Sequence, residues 1–390
     1  MSELLESRWS DTKSALLEGL SGTKKSVMAT TLENTRKYLS ESAGAGATSA
    51  GNVATLNRVI LPVIRRVMPT VIANELVGVQ PMTGPVGQIH TLRVRYADTF
   101  NDGASGATAG EEALSPFKIA ESYSGATTGK AANTAALEGA AGNKLSIQIL
   151  KQTVEAKSRK LSARWTFEAA QDAQSMHGID VEAEIMAALA QEITAEIDQE
   201  VLASLTSLSG NAVQTYNQGT VSGTATFVGD EHAALAVQIN RASNLIAQRT
   251  RRGAGNWAVV SPFALTILQS ATTSAFARTT EGVFEAPTNT KMVGTLNNAM
   301  KVYVNTYAAD SSPVLIGYKG ASESDAAAFY CPYIPLMSSG VVLDPTSFEP
   351  VVSFMTRYGY VELNNTASSL GNAADYLANV AITDTSVSFS

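Results

Sequence analysis

The chain has 390 residues, 45% of them hydrophobic and only 16% charged, with a formal net charge of −7. That balance argues against a protein that grips nucleic acid along a basic face. The single cysteine, Cys331, excludes an intrachain disulfide framework and any cysteine-rich metal site. No apolar run of ~18 residues and no signal peptide is present, so neither membrane insertion nor secretion is indicated and the chain is expected to fold in a cytoplasm. The length suffices for two or three domains. Charge this sparse, with Gly, Ala, Ser and Thr abundant, implies a surface covered by something other than water. Repeated protein–protein contact is one explanation, an exported or fibrous protein another.

Residues 1–41 read as two amphipathic helices, the first with Leu4, Leu5, Trp9, Leu16, Leu17 and Leu20 on its apolar side. The run AGAGATSAGN that follows, Ala43 to Asn52, has the composition of a flexible linker, so a helical arm on a loose tether is expected. Thr55 to Pro85 is apolar and interrupted by Pro62 and Pro69, which break or start helices. Gln88 to Asp98 alternates Leu92, Val94 and Tyr96 with polar residues, as a strand with one wet face does. Asn101 to Asn143 is dominated by small residues and can bury little on its own. Lys144 to Gln171 resumes alternation through Leu145, Ile147, Ile149, Val154, Leu161, Ala163, Trp165 and Phe167. The two runs predict a long two-stranded excursion, marginal in water and ordered by a neighbour.

Gly178 to Leu208 carries the longest helical pattern. Ile185, Leu189, Ile193, Ile197, Val201 and Leu205 recur every fourth residue, Asp180 can cap the start, and Ser209-Gly210-Asn211 stops it. Such a helix runs roughly 40 Å and is expected to lie on a sheet as a strut. A polar connector leads to a helix over Glu231 to Thr250, the short buried strand Trp257 to Val260 and a helix started by Ser261-Pro262. Strands are expected in Gly294 to Tyr307, Pro313 to Gly320 and Asp325 to Met337, which makes roughly 225–345 a second, α/β block. Pro345 to Leu363 alternates again and should pair back with the first domain, and the remaining residues read as a short surface tail.

The sequence offers no catalytic constellation. His90, His177 and His232 stand at element boundaries without a metal-ligand pattern and read as structural or solvated. Cys331 lies in an apolar strand, where a buried inert thiol is expected. The acidic residues of the long helix read as a solvated face. Arg249, Arg251 and Arg252, with Arg65 and Arg66, can meet phosphate or a partner's carboxylates, and the net charge of −7 favours inter-subunit salt bridges. No cofactor, metal or enzymatic activity is expected.

Several short motifs occur in one order: GVQPM (Gly78 to Met82), EAKSRKL (Glu155 to Leu161), MHGID (Met176 to Asp180), RTRRGAGNWAVVS (Arg249 to Ser261), YKG (Tyr318 to Gly320) and TRYG (Thr356 to Gly359). Together, over about 60–360, they resemble the T4-type major capsid proteins of tailed phages. The resemblance implies an α+β, HK97-like capsid fold. It further implies an N-terminal helical arm and linker at 1–60, an arm-to-P-domain segment at 61–84 and an extended β-hairpin E-loop at 85–150. A P domain with a spine helix near 180–208 would occupy 151–225, and an α/β A domain 226–344. A return strand at 345–365 and a C-terminal tail at 366–390 complete the implied map.

The implied function is structural: self-assembly into hexamers, and pentamers if the same chain fills the vertices, of an icosahedral head around double-stranded DNA. An encapsulin-like compartment shell is the alternative. Implied partners are other copies of the chain, portal, scaffold and cement or decoration proteins, and packaged DNA through weak non-specific contact, with no membrane. Assembly would occur in the host cytoplasm and the protein would reside in the virion. Family members commonly lose an N-terminal piece after Leu-x-Glu, and Leu39-Ser40-Glu41 fits, which makes Glu41 a candidate cleavage position. Leu4-Leu5-Glu6 and Leu16-Leu17-Glu18 fit equally, and the arm is expected to be retained.

Overall fold

The computed structural model describes residues 22–43, 71–100, 106–111, 134–138, 142–177, 180–217, 228–250, 252–271, 276–278, 291–297, 299–321, 325–347, 349–363 and 373–383, with a few single positions elsewhere. The first half holds α1 (Gly22–Ala43), α2 (Ala73–Leu76), β1 (Gly78–Val79), β2 (Val86–Tyr96), α3 (Thr134–Leu137), β3 (Leu145–Glu155), β4 (Lys157–Arg164), α4 (Phe167–His177) and α5 (Val181–Ser209). Then come β5 (Gln214–Tyr216), α6 (Val228–Thr250), β6 (Trp257–Val260), α7 (Pro262–Ser270), β7 (Phe276–Arg278), β8 (Lys291–Leu296), β9 (Met300–Val304) and β10 (Val314–Gly317). The last are β11 (Ala328–Ser338), β12 (Val342–Leu343), β13 (Pro350–Glu362), a 3₁₀ turn (Ala373–Tyr376) and β14 (Leu377–Ile382). Contacts divide the chain into two compact units, one of Met1–Gly87, Val154–Ala203 and Phe329–Val361, the other of Gln88–Thr153, Ser204–Ala328 and Glu362–Ser390.

The first unit is built on a five-stranded sheet in the order β1-β11-β13-β12, with β4 also paired to β13. β4 and β13 run antiparallel from Val351↔Arg164 to Tyr358↔Lys157. β13 alternates buried and half-buried side chains, the signature of a strand with one covered face. The long helix α5 has 29 residues, about 43 Å at 1.5 Å per residue. Leu189, Ile193, Ile197, Val201 and Leu205 of the expected stripe are buried, while at its start Met186 is buried and Ile185 only half-buried. Asp180 caps it, accepting the N–H of Glu182 at 3.1 Å. Helix α1 packs in the same unit through buried Val27, Met28 and Leu32. Asn34 Nδ2 fastens it there, donating to the carbonyls of Met82 at 2.6 Å and Tyr333 at 3.0 Å.

The second unit holds a seven-stranded mixed sheet ordered β5-β14-β10-β6-β9-β8-β7. The central strands β6 and β10 are buried along their whole length. The core joins Leu235, Ile239 and Ile246 of α6 and Ile267 of α7 to Val260, Val302, Val314, Ile316 and Val380 of the strands. Ser261 caps α7, its Oγ accepting the N–H of Ala264 at 3.2 Å, with Pro262 in the first turn. The same unit contains the β2–β3 ribbon. Beyond it Tyr96, Ala107, Ala113 and Tyr123 form a small cluster with Val94 and Phe100. Tyr123 donates to the carbonyl of Lys144 at 2.5 Å.

Four expectations are corrected. The C-terminal residues are no surface tail: β14 is buried at five of its six positions and sits between β5 and β10. Its backbone groups pair with both neighbours, which a surface tail cannot arrange. β11 joins the sheet of the first unit rather than the α/β block, with β1 parallel beside it. The alternation through Trp165 and Phe167 ends at Arg164, because Thr166 opens a helix: its Oγ1 accepts the N–H of Ala169 at 3.3 Å. The connector after α5 is part strand, β5, with Tyr216 fully buried. The first predicted helix and the linker lie almost wholly outside the described residues.

Candidate assembly surfaces

One turn of α5 is gripped from two sides. Arg159 of β4 donates to Glu196 Oε2 and Glu200 Oε2, each at 2.6 Å, and through Nε to the Tyr358 hydroxyl at 2.6 Å. Tyr358 in turn donates to Glu200. Burial would raise the Glu200 carboxyl, but the bonds from Arg159 and Tyr358 outweigh it and hold the group below its ordinary range. Between them in sequence, Asp198 is 1% exposed and accepts the backbone N–H of Ile72 at 2.8 Å, while its second oxygen is buried without a hydrogen bond. Burial pushes its pKa up to about 7, with the Ile72 bond opposing. The turn thus fixes β4 and β13 on one side and the segment leading from the arm on the other.

The β2–β3 ribbon presents apolar surface. Leu145, Ile147 and Ile149, alternating along β3 and so on one face, are 54%, 68% and 66% exposed. Large aliphatic side chains lined up in water mark a surface meant for another protein.

A third constellation lies in the second unit. Arg252 Nη1 meets Asp325 Oδ1 at 2.5 Å, and Tyr376 donates to the same oxygen at 3.1 Å. Tyr318 and Tyr376 stack with ring centroids 6.4 Å apart. Two glycines permit this packing. A Cβ on Gly253 would stand 2.6 Å from the Tyr318 ring, and one on Gly320 would collide with the Asp325 carboxylate. The same logic holds at Gly359, where a Cβ would strike Val154. The motif glycines of RTRRG, YKG and TRYG are therefore close-approach positions.

Of the arginines expected to bridge subunits, Arg252 is committed to Asp325 in its own chain, though its side chain stays 58% exposed. Arg249 lies in the last turn of α6, half-buried. Arg65, Arg66 and Arg251 lie outside the described residues. Glu41 falls in the last turn of α1, two residues before the helix ends. His90 is exposed, and His232 is 3% exposed with Nδ1 2.5 Å from Ser270 Oγ. Ser270 also donates to the Ile267 carbonyl at 3.1 Å, so the histidine N–H donates to Ser270 and the pair closes the end of α7. Burial lowers the His232 pKa and so disfavours the charged ring, with Glu231 opposing. Cys331 is buried and its thiol pushed up to about 11 by burial. Among the described residues no group of three or more His, Cys, Asp or Glu could hold a metal ion, and no helix is long and apolar enough to cross a membrane.

Residues 53–386 match the family model described as Major capsid protein Gp23. The chain belongs to this capsid protein family. The major capsid protein of Enterobacteria phage T4 is 30% identical, with 86% of this chain and 80% of that protein covered. That of Vibrio phage KVP40 is 28% identical over 85% of this chain and 82% of its own length. A solved chain of Mycobacterium phage Bobi is similar over 80% of this chain and 90% of its own, at 13% identity and a TM-score of 0.48.

Membership makes the α+β architecture an HK97-like capsid fold and the function that of a tailed-phage major capsid protein, placed in the virion. The match is to phage shell proteins and supports that reading over an encapsulin-like compartment. Relatives in the family are structural proteins, and self-assembly into capsomers follows. Sequence reasoning missed the grip on α5, having read Glu196, Asp198 and Glu200 as a solvated face. The available signal was the second row at four-residue steps, Ala190, Thr194, Asp198 and Leu202, which carries Asp198 among buried neighbours.

Proposed function

We propose that this capsid protein forms hexamers, and pentamers if the same chain fills the vertices, in an icosahedral head around double-stranded DNA. The observation that carries this reading is the exposed stripe Leu145, Ile147 and Ile149 on β3. In this reading 85–150 is an E-loop laid over the next copy, 1–60 the arm with its linker, and 61–84 the passage to the P domain. The P domain is drawn from 151–203 together with β11 and the return strand, and the A domain from 204–328 together with the C-terminal β14. Contacts around a capsomer are then heterologous and close into rings, with interfaces of the obligate class, roughly 2,000–5,000 Å².

The protein is structural and without enzymatic activity. Portal, scaffold and cement or decoration proteins complete the head, assembled in the host cytoplasm. The net charge of −7 suits weak, non-specific contact with packaged DNA. Arg249, Arg251, Arg65 and Arg66 are reserved for carboxylates of neighbouring copies. Glu41 remains the candidate cleavage position; placed within α1, it requires local unwinding before a protease can hold it extended.

The test replaces Ile147 and Ile149 together by Asp in the full chain. The wild type is expected to give closed particles by electron microscopy, and the double variant folded chains or loose capsomers with the wild-type circular dichroism. Closed particles from the double variant would overturn the role given to the ribbon.

A further inference from the structure

Helix α4 is an anomaly in the first unit. It has 11 residues, yet none of its described side chains is buried; only Ala170 and Ala173 are even half-covered. Isolated helices of this length are marginal in water. Glu168, Asp172 and Met176 follow at four-residue steps and so form one stripe, about 12 Å long. Met176 is 79% exposed at its end. Between Arg164 and Arg241 the chain contains no lysine or arginine, so the helix itself carries no cation to neutralise these acids.

The face of the sheet turned away from the Arg159 grip has the opposite character. The β4–β13 register sets Lys160 opposite Met355, Ser162 opposite Ser353 and Arg164 opposite Val351. Arg357 shares this face, its guanidinium 5.3 Å from the Tyr333 ring. A groove opens here, floored by Met337 and Met355, lined by Ser162 and Ser353, with Lys160 at its side. Arg164 is 72% exposed; the Glu349 carboxylate stands at 3.8 Å from it, and Asp344 also lies within its electrostatic reach. Lys160 to Arg164 spans about 13 Å of strand, close to the full Glu168–Met176 stripe, while the two acids alone stand about 6 Å apart and rely on the long cationic side chains to reach them.

We propose that α4 of one copy lies in the β4–β13 groove of another, with Glu168 and Asp172 facing Lys160 and Arg164 and Met176 on the methionine floor. This rests on the reading of the chain as a shell subunit and names one of its contacts. Because β4 ends at Arg164 and α4 starts at Phe167, each copy carries both halves side by side. Such a surface is self-complementary across a two-fold axis, the isologous arrangement. Helix-in-groove docking would also explain why α4 forms without a core of its own. DNA phosphates could meet the cations but would leave the methionine floor and α4 uncovered.

Charge reversal in the full chain tests the contact. Glu168→Lys with Asp172→Lys, or Lys160→Glu with Arg164→Glu, is expected to cut particle yield by about tenfold or more, since like charges then face each other. The chain carrying all four changes should recover particles, a rescue that a folding defect cannot give. Failure of the fourfold variant to recover while both doubles remain folded overturns the proposal. So do normal shells from Lys160→Glu/Arg164→Glu that fail only to package DNA, which would assign the groove to nucleic acid. A second measurement places cysteines at Met176 and Met355. Oxidation should give covalent dimers in whatever oligomer forms, and their absence overturns the contact even where wild-type chains form no shell and the shell reading itself has failed.

Discussion

At the scale of single residues, Asp198 is costly: a carboxyl buried with one oxygen unpartnered. Burial raises its pKa to about 7, and only the Ile72 N–H offsets the loss of water. The buried Tyr330 of β11 lies within electrostatic reach of Asp198. A carboxyl whose folded pKa lies above its unfolded value stabilises fully below about pH 4, and that contribution is lost as the pH rises through about 7. The span of about three pH units corresponds to ~4 kcal/mol. Asp198→Asn keeps an acceptor for Ile72 and cannot ionise. It should flatten the decline in melting temperature between pH 5 and 8 and melt higher than wild type at pH 8, measured by calorimetry. At pH 5 the difference should largely close, because the protonated carboxyl and the amide then both bury a donor without a partner. A variant that tracks the wild-type slope would show that Asp198 is not the titrating group.

At the scale of elements, the junction of α5 with β4 and β13 depends on one guanidinium serving two carboxylates and a phenol. A three-partner network with 2.6 Å bonds is worth more than an isolated surface pair. Arg159→Met keeps the aliphatic stem and removes the charge. It should cost about 1–2 kcal/mol in urea unfolding. The acid limb of the stability profile should weaken with it, because Glu200, held low in the wild type, then titrates nearer its ordinary range. Gly359, next to Tyr358 in β13, tests the packing there. Gly359→Ala drives a methyl against Val154, and overpacking of this type should cost about 1–3 kcal/mol. An alanine variant as stable as wild type would mean that β13 can shift away from Val154 freely.

At the scale of the whole molecule, what was legible in the sequence was what is local. Ile185 to Leu205 at four-residue steps sufficed for α5, and Leu145, Ile147 and Ile149 for β3. What was not legible depends on partners far away in the chain. The grip of Arg159 on Glu196 and Glu200 crosses some forty residues, and Asp198 meets Ile72 from 126 positions off. The sharpest case is LANVAI, six residues among polar ones that no periodicity distinguishes from a tail, yet they form β14 between β5 and β10. Val380 and Ile382 of that strand belong to the core, and Asn379 Nδ2 donates to Ser209 Oγ at 2.8 Å. A chain ending at residue 372 would therefore leave the inner edge of β10 unpaired and the α6 core open to water. Such exposed edges aggregate, so the truncated protein is expected in the insoluble fraction. Removal of only residues 384–390, which follow β14, should leave solubility and particle formation unchanged. A soluble, cooperatively melting 372-residue chain would show that the seven-stranded sheet does not need its C-terminal strand.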